Sequence, residues 1–510
     1  MSKVSHTFHE RINIINKDTG KVEPLEIPHT ITVDQAAPKN LGIMLVGWGG
    51  NNGTTLTAGI LANKKKLSWK TRQGVHTANW YGSMTQSSVT KIGVEIDDLP
   101  AETLQNYHID NRGNNQQPSH PIGGGKVVRD VFKTVKDLVP LVSTDNLTVT
   151  GWDISGMNLY DASYRAKVLE PMLIEQLKDE LEAMVPMAAV FNPGYIASNQ
   201  SDRVDNVFEG TNQQCVDKLR EDIQNFSKTV DKVIVLWTAN TEKFYEKDLK
   251  KAADVEDLIA SNIPVSGSML YAYACAKEGV TFLNGSPQNT VSEGMIELFG
   301  QTKSFIGGAD FKTGQTKFKS IMLDFFMGSG LRLASCMSYN HLGNNDGKNL
   351  NEPDQFRSKE ISKAGVLSDE IEANKVLYPD DNKKVDHTIV IKYAPFTGDT
   401  KKAMDEYIAQ IFLGGNMTLV TYATCEDSLL AAPIMLDLLL LGEFFTRIEI
   451  DGVSTGPVLS YLSFFFKAPV TNHPEYVFNS FSKQKALLIN FLMACGGYPI
   501  SDQTLLGIGL

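Results

Sequence analysis

The chain has few cysteines, and they form no motif. Cys215, Cys275, Cys336, Cys425 and Cys495 are scattered, odd in number and never spaced as C-x-x-C. That argues against a disulfide frame or a structural zinc site and fits reduced thiols. There is no G-x-S-x-G, and the nine histidines do not cluster with cysteines or carboxylates. A serine triad and a dedicated metal centre are therefore not expected, and no metal is assigned. A basic stripe is also lacking. The net charge is −11, and Lys64, Lys65 and Lys66 form only a short patch, so no nucleic-acid partner is expected. No uncharged apolar run is long enough to span a bilayer. The best candidate, Leu429 to Phe445, carries Asp437 and Glu443 and reads as a buried core helix, not a membrane span. The first residues, MSKVSHTFHERINI, show no apolar h-region. The expected location is cytoplasmic.

What is present is the alternation of a multidomain α/β protein. At 510 residues the chain exceeds a single core. Strand-like runs at Leu41–Gly47, Val149–Ile154, Ala188–Phe191, Lys232–Trp237 and Val280–Leu283 alternate with helical patterns at Ala162–Ala183, Cys215–Phe226 and Ser266–Lys277. Such alternation implies crossovers and a parallel sheet. A second alternation follows: a helix near Lys317–Met327, then strands near Leu331–Met337, His387–Tyr393 and Met417–Tyr422, with helices expected near Ser358 and Ala403. The last 80 or so residues read as mostly helical, and Asp97–Gly125 as a polar surface excursion.

The first buried strand runs into GWGGNNGTTL. Gly47, Gly49, Gly50 and Gly53 allow a sharp turn and close approach of a pyrophosphate, and Thr54 and Thr55 open a helix whose free amides face it. The spacing is one residue longer than G-x-G-x-x-G. The acidic residue for the adenosine ribose is normally found about 20 residues on. The next convincing strand, LTVTGWD, ends much later at Asp153. That carboxylate reads either as a ribose ligand, which implies NAD rather than its phosphorylated form, or as a helix N-cap. Thr238, Ala239, Asn240 and Thr241 end another strand, and Gly285 and Ser286 the next, where ligands sit in such sheets.

Ser338–Lys363, SYNHLGNNDGKNLNEPDQFRSKEISK, is the most telling stretch. Its Asn-, Gly- and Asp-rich first half reads as tight turns offering amides and a carboxylate. Its second half opens a helix with Lys359 and Lys363 on one face, an arrangement suited to an anion between them. Thr313 and Gly314 precede a helix whose amides at Gly314, Gln315 and Thr316 form a possible phosphate cradle. Gly398, Asp399, Thr400 and Lys401 read as opening another helix. Lys467 lies in the apolar FFFKAPV, where a lysine is costly unless it is paired, functional or snorkelling.

These blocks together resemble the eukaryotic myo-inositol-1-phosphate synthases: GWGGNNGTT, NWYGSMTQ, GWDI, NGSPQN, GQTK, SYNHLGNNDG, RSKEISK, DHTIVIKY, MDEY and CEDSLLA, in the family's order from about residue 41 to 470. The resemblance implies a Rossmann-type NAD-binding domain with a second α+β substrate and tetramerisation domain. The expected divisions are an N-terminal segment 1–40, the NAD-binding domain 41–316, the substrate domain 317–430, and a segment 431–510 that returns to the central region. It also implies NAD as cofactor, with ammonium or potassium as in much of the family, D-glucose 6-phosphate as substrate, and a homotetramer. The reaction would be a redox-neutral isomerisation to 1D-myo-inositol 3-phosphate. A plain sugar-phosphate dehydrogenase, which would release NADH, is the competing reading.

Carried over by position, Lys359 and Lys467 would face the oxygens at C5 and C1. Lys363 and Lys401, with the turn Thr313–Thr316, would hold the phosphate. The dinucleotide would contact Gly47, Gly49, Gly50, Asn51, Asn52, Gly53, Asp153, Gln200, Arg203, Thr238–Thr241, Gly285 and Ser286. On the nicotinamide side it would contact Asp310, Asn344, Asn345, Asp346, Gly398, Asp399, Asp427 and Ser428.

Overall fold

The computed structural model describes residues 2–96, 128–367, 371, 374–379, 385–471 and 479–499. The expected excursion at 97–125 lies outside them. A six-stranded sheet runs in the order Ile306–Gly307, Thr281–Asn284, Lys232–Trp237, Leu41–Val46, Leu147–Asp153, Met187–Ala188, with every neighbouring pair parallel. Strand Leu41–Val46 is buried throughout. Leu41, Ile43 and Leu45 pack into one apolar cluster, and Met44 and Val46 into the other. Burial on both faces explains why its sequence is a continuous apolar run and not an alternation. The next strand pairs on one side of it and Lys232–Trp237 on the other. The order reverses there, which opens a crevice at the strands' carboxyl ends.

Several sequence expectations are revised. The helix expected over Ala162–Ala183 is three short ones, Leu159–Ala166, Pro171–Gln176 and Lys178–Ala183. Lys167 is left-handed (φ 55°), and Pro171 has no amide to continue the previous helix, so it starts a new one. The strand at Ala188–Phe191 shrinks to Met187–Ala188.

The second sheet runs Asp386–Tyr393, Arg332–Leu342, Thr400–Gln410, Asn416–Glu426, the first pair parallel and the others antiparallel. The helix expected near Ala403, opened by Gly398–Lys401, is therefore a strand. Ala403, Asp405, Tyr407 and Ala409 are buried while Lys402, Met404 and Gln410 are exposed. A period of two set by pairing on both sides overrides the helical preference of Lys, Ala, Met and Glu. The strand expected to end at Met337 also continues to Leu342. Ser338 and Asn340 are buried ladder residues, and the turn begins only at Gly343.

The two ends of the described chain meet. Lys3–Ile15 and Val22–Asp34 form a hairpin whose second strand pairs with Ile448–Ile450. Helix Asp427–Phe445 is apolar enough to cross a membrane, yet 89% of its most apolar stretch is buried inside the fold, as expected of a core helix. Asp437 in its middle accepts hydrogen bonds from Ser83 Oγ (2.6 Å), Met84 N (2.6 Å), Thr85 N (2.9 Å) and Thr85 Oγ1 (2.6 Å). Those partners resolve the cost of a buried carboxylate. The final stretch is less helical than expected: beyond residue 445 its described residues hold two short strands, a 3-10 turn at Ser460–Phe465 and one helix, Phe481–Cys495.

Candidate active site

One cleft lies across the carboxyl ends of the parallel sheet and is closed by the second sheet and helix Pro353–Ala364. It contains about 1510 Å³ of empty space, part of it open to solvent, which is ample for a dinucleotide and a sugar phosphate. Its first wall is the glycine loop. Gly47 sits at φ +86°, and a Cβ there would stand 2.8 Å from Ala239 Cα. A Cβ at Gly53 would stand 2.3 Å from Trp48 O. Gly47 thus lets the loop pack on the next strand's end, and Gly53 lets the helix pack on the loop. Gly47, Gly50, Asn51 and Asn52 line the cleft. Gly49 and Gly53 stand behind it.

Asp153 lies on the wall at the end of its strand. Its Oδ1 accepts from Ser155 N at 2.9 Å. Burial pushes its carboxyl above the usual range, against the pull of that amide and of Arg203 and Arg165. Arg203 also lines the cleft, and its buried Nε has no hydrogen-bond partner among the described residues. Thr238–Thr241, Gly285 and Ser286 form the floor. Gln200 is not on the wall. It is buried behind Asn240, whose Nδ2 donates to it at 3.0 Å, and Asn240 in turn accepts from Asn345 Nδ2 at 3.3 Å.

The Asn-rich turn comes to the loop from the second sheet. Asn344, Asn345 and Asp346 line the cleft with Asp427 and Ser428. Asp399 stands behind them as a knot. It accepts from Asn51 Nδ2 (3.2 Å), Asn344 Nδ2 (3.0 Å), Ser428 N (2.8 Å) and Ser428 Oγ (2.8 Å). One carboxylate thus ties the glycine loop to the second sheet and to the start of the core helix. Gly398 precedes it at φ +56° and turns the chain into the strand; it does not face the cleft.

The four lysines converge on one side of the cleft. Lys359 Nζ and Lys467 Nζ both donate to Asp310 Oδ1, at 2.8 and 3.0 Å, and Ser362 Oγ donates to Oδ2 at 2.8 Å. Burial alone would raise the Asp310 pKa, but the two ammonium groups hold it well below the usual carboxylate range. The two lysines part company. Burial pulls Lys359 down, yet Asp310 and Asp346 together hold it above its ordinary value. Lys467 is pulled by burial to about 7, with Asp310 opposing and Lys359 and Lys401 assisting. The extra carboxylate beside Lys359 accounts for the difference. Lys401 pairs with Asp427 at 3.5 Å. Lys363 is buried, and its amine makes no hydrogen bond or ion pair among the described residues. Burial, then Lys401, Lys319, Lys467 and Lys359, push its pKa well below the usual value. A cluster of this kind is built for an anion.

Thr313 lines the cleft, while Gly314, Gln315 and Thr316 lie just beyond it. Helix Gly314–Gly328 begins there, and Thr313 makes no side-chain cap. The amides of Gly314 and Gln315 have no intrahelical partner. That of Thr316 is already bonded to Thr313 O at 3.1 Å. The Gln315 side chain points away, to Asp405 Oδ1 at 3.0 Å.

Sequence reasoning missed Ser362, Asn340, Lys319 and His387. Ser362 could have been found three residues from Lys359 on the same helical face. Asn340 was hidden in a stretch read as turn. It lines the cleft, and its buried Oδ1 has no partner among the described residues. With Arg203 Nε it leaves polar groups facing a place where a polar ligand belongs. The glycine cradle, Asp153 and these unmatched groups fit a bound NAD.

Comparison with known proteins agrees. A family model described as myo-inositol-1-phosphate synthase matches residues 41–106 and 115–493. Inositol-3-phosphate synthase 1 of Oryza sativa subsp. japonica is 45% identical over 95% of this chain and 91% of that protein. Inositol-3-phosphate synthase 1 of Bos taurus is 46% identical over 98% of this chain and 86% of that protein. The crystal structure of inositol-3-phosphate synthase from Caenorhabditis elegans superposes with a TM-score of 0.89 at 40% identity, over 98% of this chain and 94% of that one.

Proposed function

The chain belongs to the myo-inositol-1-phosphate synthase family, and from that premise we propose how its residues divide the work. The activity is an NAD-dependent isomerisation of D-glucose 6-phosphate to 1D-myo-inositol 3-phosphate, the step that forms inositol for lipid synthesis. The observation that carries the division is the single carboxylate, Asp310, shared by two lysines that differ in basicity.

Bound NAD supplies a reversible hydride acceptor that makes C5 of the sugar a ketone and later an alcohol again. The glycine loop, Asp153, Arg203 and Thr238–Thr241 hold that cofactor. Lys363 and Lys401, with the amides of Gly314 and Gln315, hold the substrate phosphate. Lys359, kept cationic by Asp310 and Asp346, faces the oxygen that gains charge as C5 is oxidised and the C6 proton leaves. Lys467, about half neutral near pH 7, carries protons between sugar oxygens and carbon as the C6–C1 bond closes. Asp310 holds both amines in place, with Ser362 steadying it.

The domain division at 1–40, 41–316, 317–430 and 431–510, the homotetramer and the cytoplasmic location belong to the same reading. Exposed Met404, Val420 and Tyr422 on the neighbouring strands Thr400–Gln410 and Asn416–Glu426 of the second sheet support an oligomer; light scattering at micromolar concentration that finds monomer alone refutes it. A monovalent cation, ammonium or potassium, is part of the family expectation but carries no step. Among the described residues no group of three or more His, Cys, Asp or Glu gathers as metal ligands would.

The test is incubation with glucose 6-phosphate and substoichiometric NAD. The expected result is many moles of inositol phosphate per mole of NAD. Accumulation of NADH in step with consumed substrate would mark a dehydrogenase instead.

A further inference from the structure

The floor of the cleft, Thr238–Thr241, is irregular backbone. Strand Lys232–Trp237 ends before it, and the next helix starts at Ala252. Its position therefore depends on contacts made from its flanks. Glu242, the residue that follows, lines the cleft and is 1% exposed, yet the mechanism gives it no part. Its carboxylate reaches the start of helix Gly267–Glu278, where Ser268 N donates to Oε2 at 3.1 Å and to Oε1 at 3.4 Å. That helix does not cap itself: Ser266 makes no side-chain cap, and the first turn carries no acidic residue. A Cβ on Gly267 would stand 3.1 Å from Glu242 Oε1, so glycine leaves room for the carboxylate there. A side chain from another segment thus satisfies an amide that the helix leaves free, and the helix dipole favours its charge.

The main chain of the same residue reaches the helix that carries the lysines. Glu242 O accepts from Ser358 Oγ at 2.9 Å. Ser358 is fully buried and stands next to Lys359, whose Nζ donates to Asp310 Oδ1 at 2.8 Å. One residue earlier, Thr241 O accepts from Asn349 Nδ2 at 2.8 Å, and Glu242 N donates to Gln288 Oε1 at 3.4 Å. Direct contacts therefore run from the helix start through the Glu242 carboxylate and carbonyl to Ser358 and Lys359. Burial pushes the Glu242 carboxyl up to about 7, against the pull of Ser268, Gly267 and Ser266. Charged or neutral, it keeps an oxygen that can accept from Ser268 N.

We propose that Glu242 is a positioning residue for Lys359: it ties the floor segment to the start of helix Gly267–Glu278, so that Ser358 holds Lys359 in register with that floor. The inference rests on the role given to Lys359 above. Glu242 acts through Ser358 and takes no proton or charge from the reaction itself.

The test compares Glu242→Ala, Glu242→Gln, Ser358→Ala and the double variant Glu242→Ala/Ser358→Ala. For each, kcat and KM for glucose 6-phosphate are measured, with NAD affinity by fluorescence titration and the kinetic isotope effect of deuterium at C5. Misplacing a group that acts in the transition state should lower kcat of Glu242→Ala about tenfold to a hundredfold, with KM and NAD affinity within about twofold of wild type. The C5 isotope effect should grow, because hydride transfer becomes the slow step. Glu242→Gln keeps an acceptor for Ser268 N and should restore most of kcat. Ser358→Ala should show the same split, and should add little in the Glu242→Ala background, since both changes cut one tether. A normal kcat in Glu242→Ala, multiplying losses in the double variant, or a defect carried by KM or NAD affinity overturns the proposal. Where Glu242→Ala fails to fold, Ser358→Ala decides alone, because it leaves the Glu242 cap intact: a normal kcat and isotope effect there overturn the proposal. Lys359→Met separates the two levels. A near-normal kcat in that variant refutes the reading beneath the proposal, whereas an impaired Lys359→Met beside a normal Ser358→Ala refutes the tether alone.

Discussion

Replacing Lys359 by Met tests the division of labour most directly. The side chains are similar in length, and the change removes a charge held in place by Asp310 Oδ1 at 2.8 Å. Lys467 touches the same oxygen at 3.0 Å, so the two nitrogens are no more than about 6 Å apart. Two unit charges at about 6 Å with an effective dielectric of about 20 repel by about 3 kcal/mol, or about two pKa units. Two effects follow. The oxygen at C5 loses its cation, and removal of one such donor lowers kcat by about 10²–10³ while leaving KM nearly unchanged. Lys467 is also freed of its neighbour and keeps Asp310 to itself, so its pKa rises from about 7 toward 9 or so. The pH limb of kcat that reports proton transfer by Lys467 should therefore move alkaline by at least about one unit. The assay is inositol phosphate formation with trace NAD from about pH 6 to 10, covering both limbs. A near-normal kcat removes Lys359 from the chemistry. A lowered kcat with an unmoved limb removes Lys467 from the proton transfers.

Lys363→Ala should raise KM for glucose 6-phosphate at least as clearly as it lowers kcat, since the phosphate keeps its charge throughout; steady-state kinetics showing a pure kcat defect would exchange its role with that of Lys359. Asp153→Ala should weaken NAD binding by about 1–3 kcal/mol, the range for a hydrogen bond to a charged group, and unchanged affinity by fluorescence titration would leave the carboxylate as a turn-former for Ser155 only. Asp310→Asn strips the buried Lys359 ammonium, and the partly charged Lys467 amine, of their counter-charge and should destabilise the fold by about 3–5 kcal/mol at neutral pH. The folded pKa of Asp310 is depressed, so its stabilisation is complete above the unfolded value and is lost as pH falls through the folded one. The gap between the two melting curves should stay open near pH 7 and close in acid, and a gap that widens in acid would contradict the pairing.

Much of this molecule is local enough to read in one dimension. Leu41–Val46 is apolar because both its faces are covered, and a run of apolar residues followed by glycines announces a strand and a phosphate turn without help from the rest of the chain. Lys359, Lys363 and Asp310 lie on short segments whose residue types name their chemistry. Pairing across the sheet is different. Thr400–Gln410 has helical propensity and becomes a strand because Arg332–Leu342 and Asn416–Glu426 flank it. Ser338 and Asn340 look like turn residues and are buried in that same ladder. Asp399 joins Asn51 across 348 residues of sequence, and Lys319 meets His387 across 68. The sequence by itself determined the central strands of the parallel sheet, the glycine turn and the kinds of charge available, because backbone preference and side-chain periodicity are local. Only the tertiary structure decided which charges share a dry space. The same lysine is an ordinary cation in water, and becomes a ready proton donor or a lasting charge only through the burial, carboxylates and amines that folding packs around it.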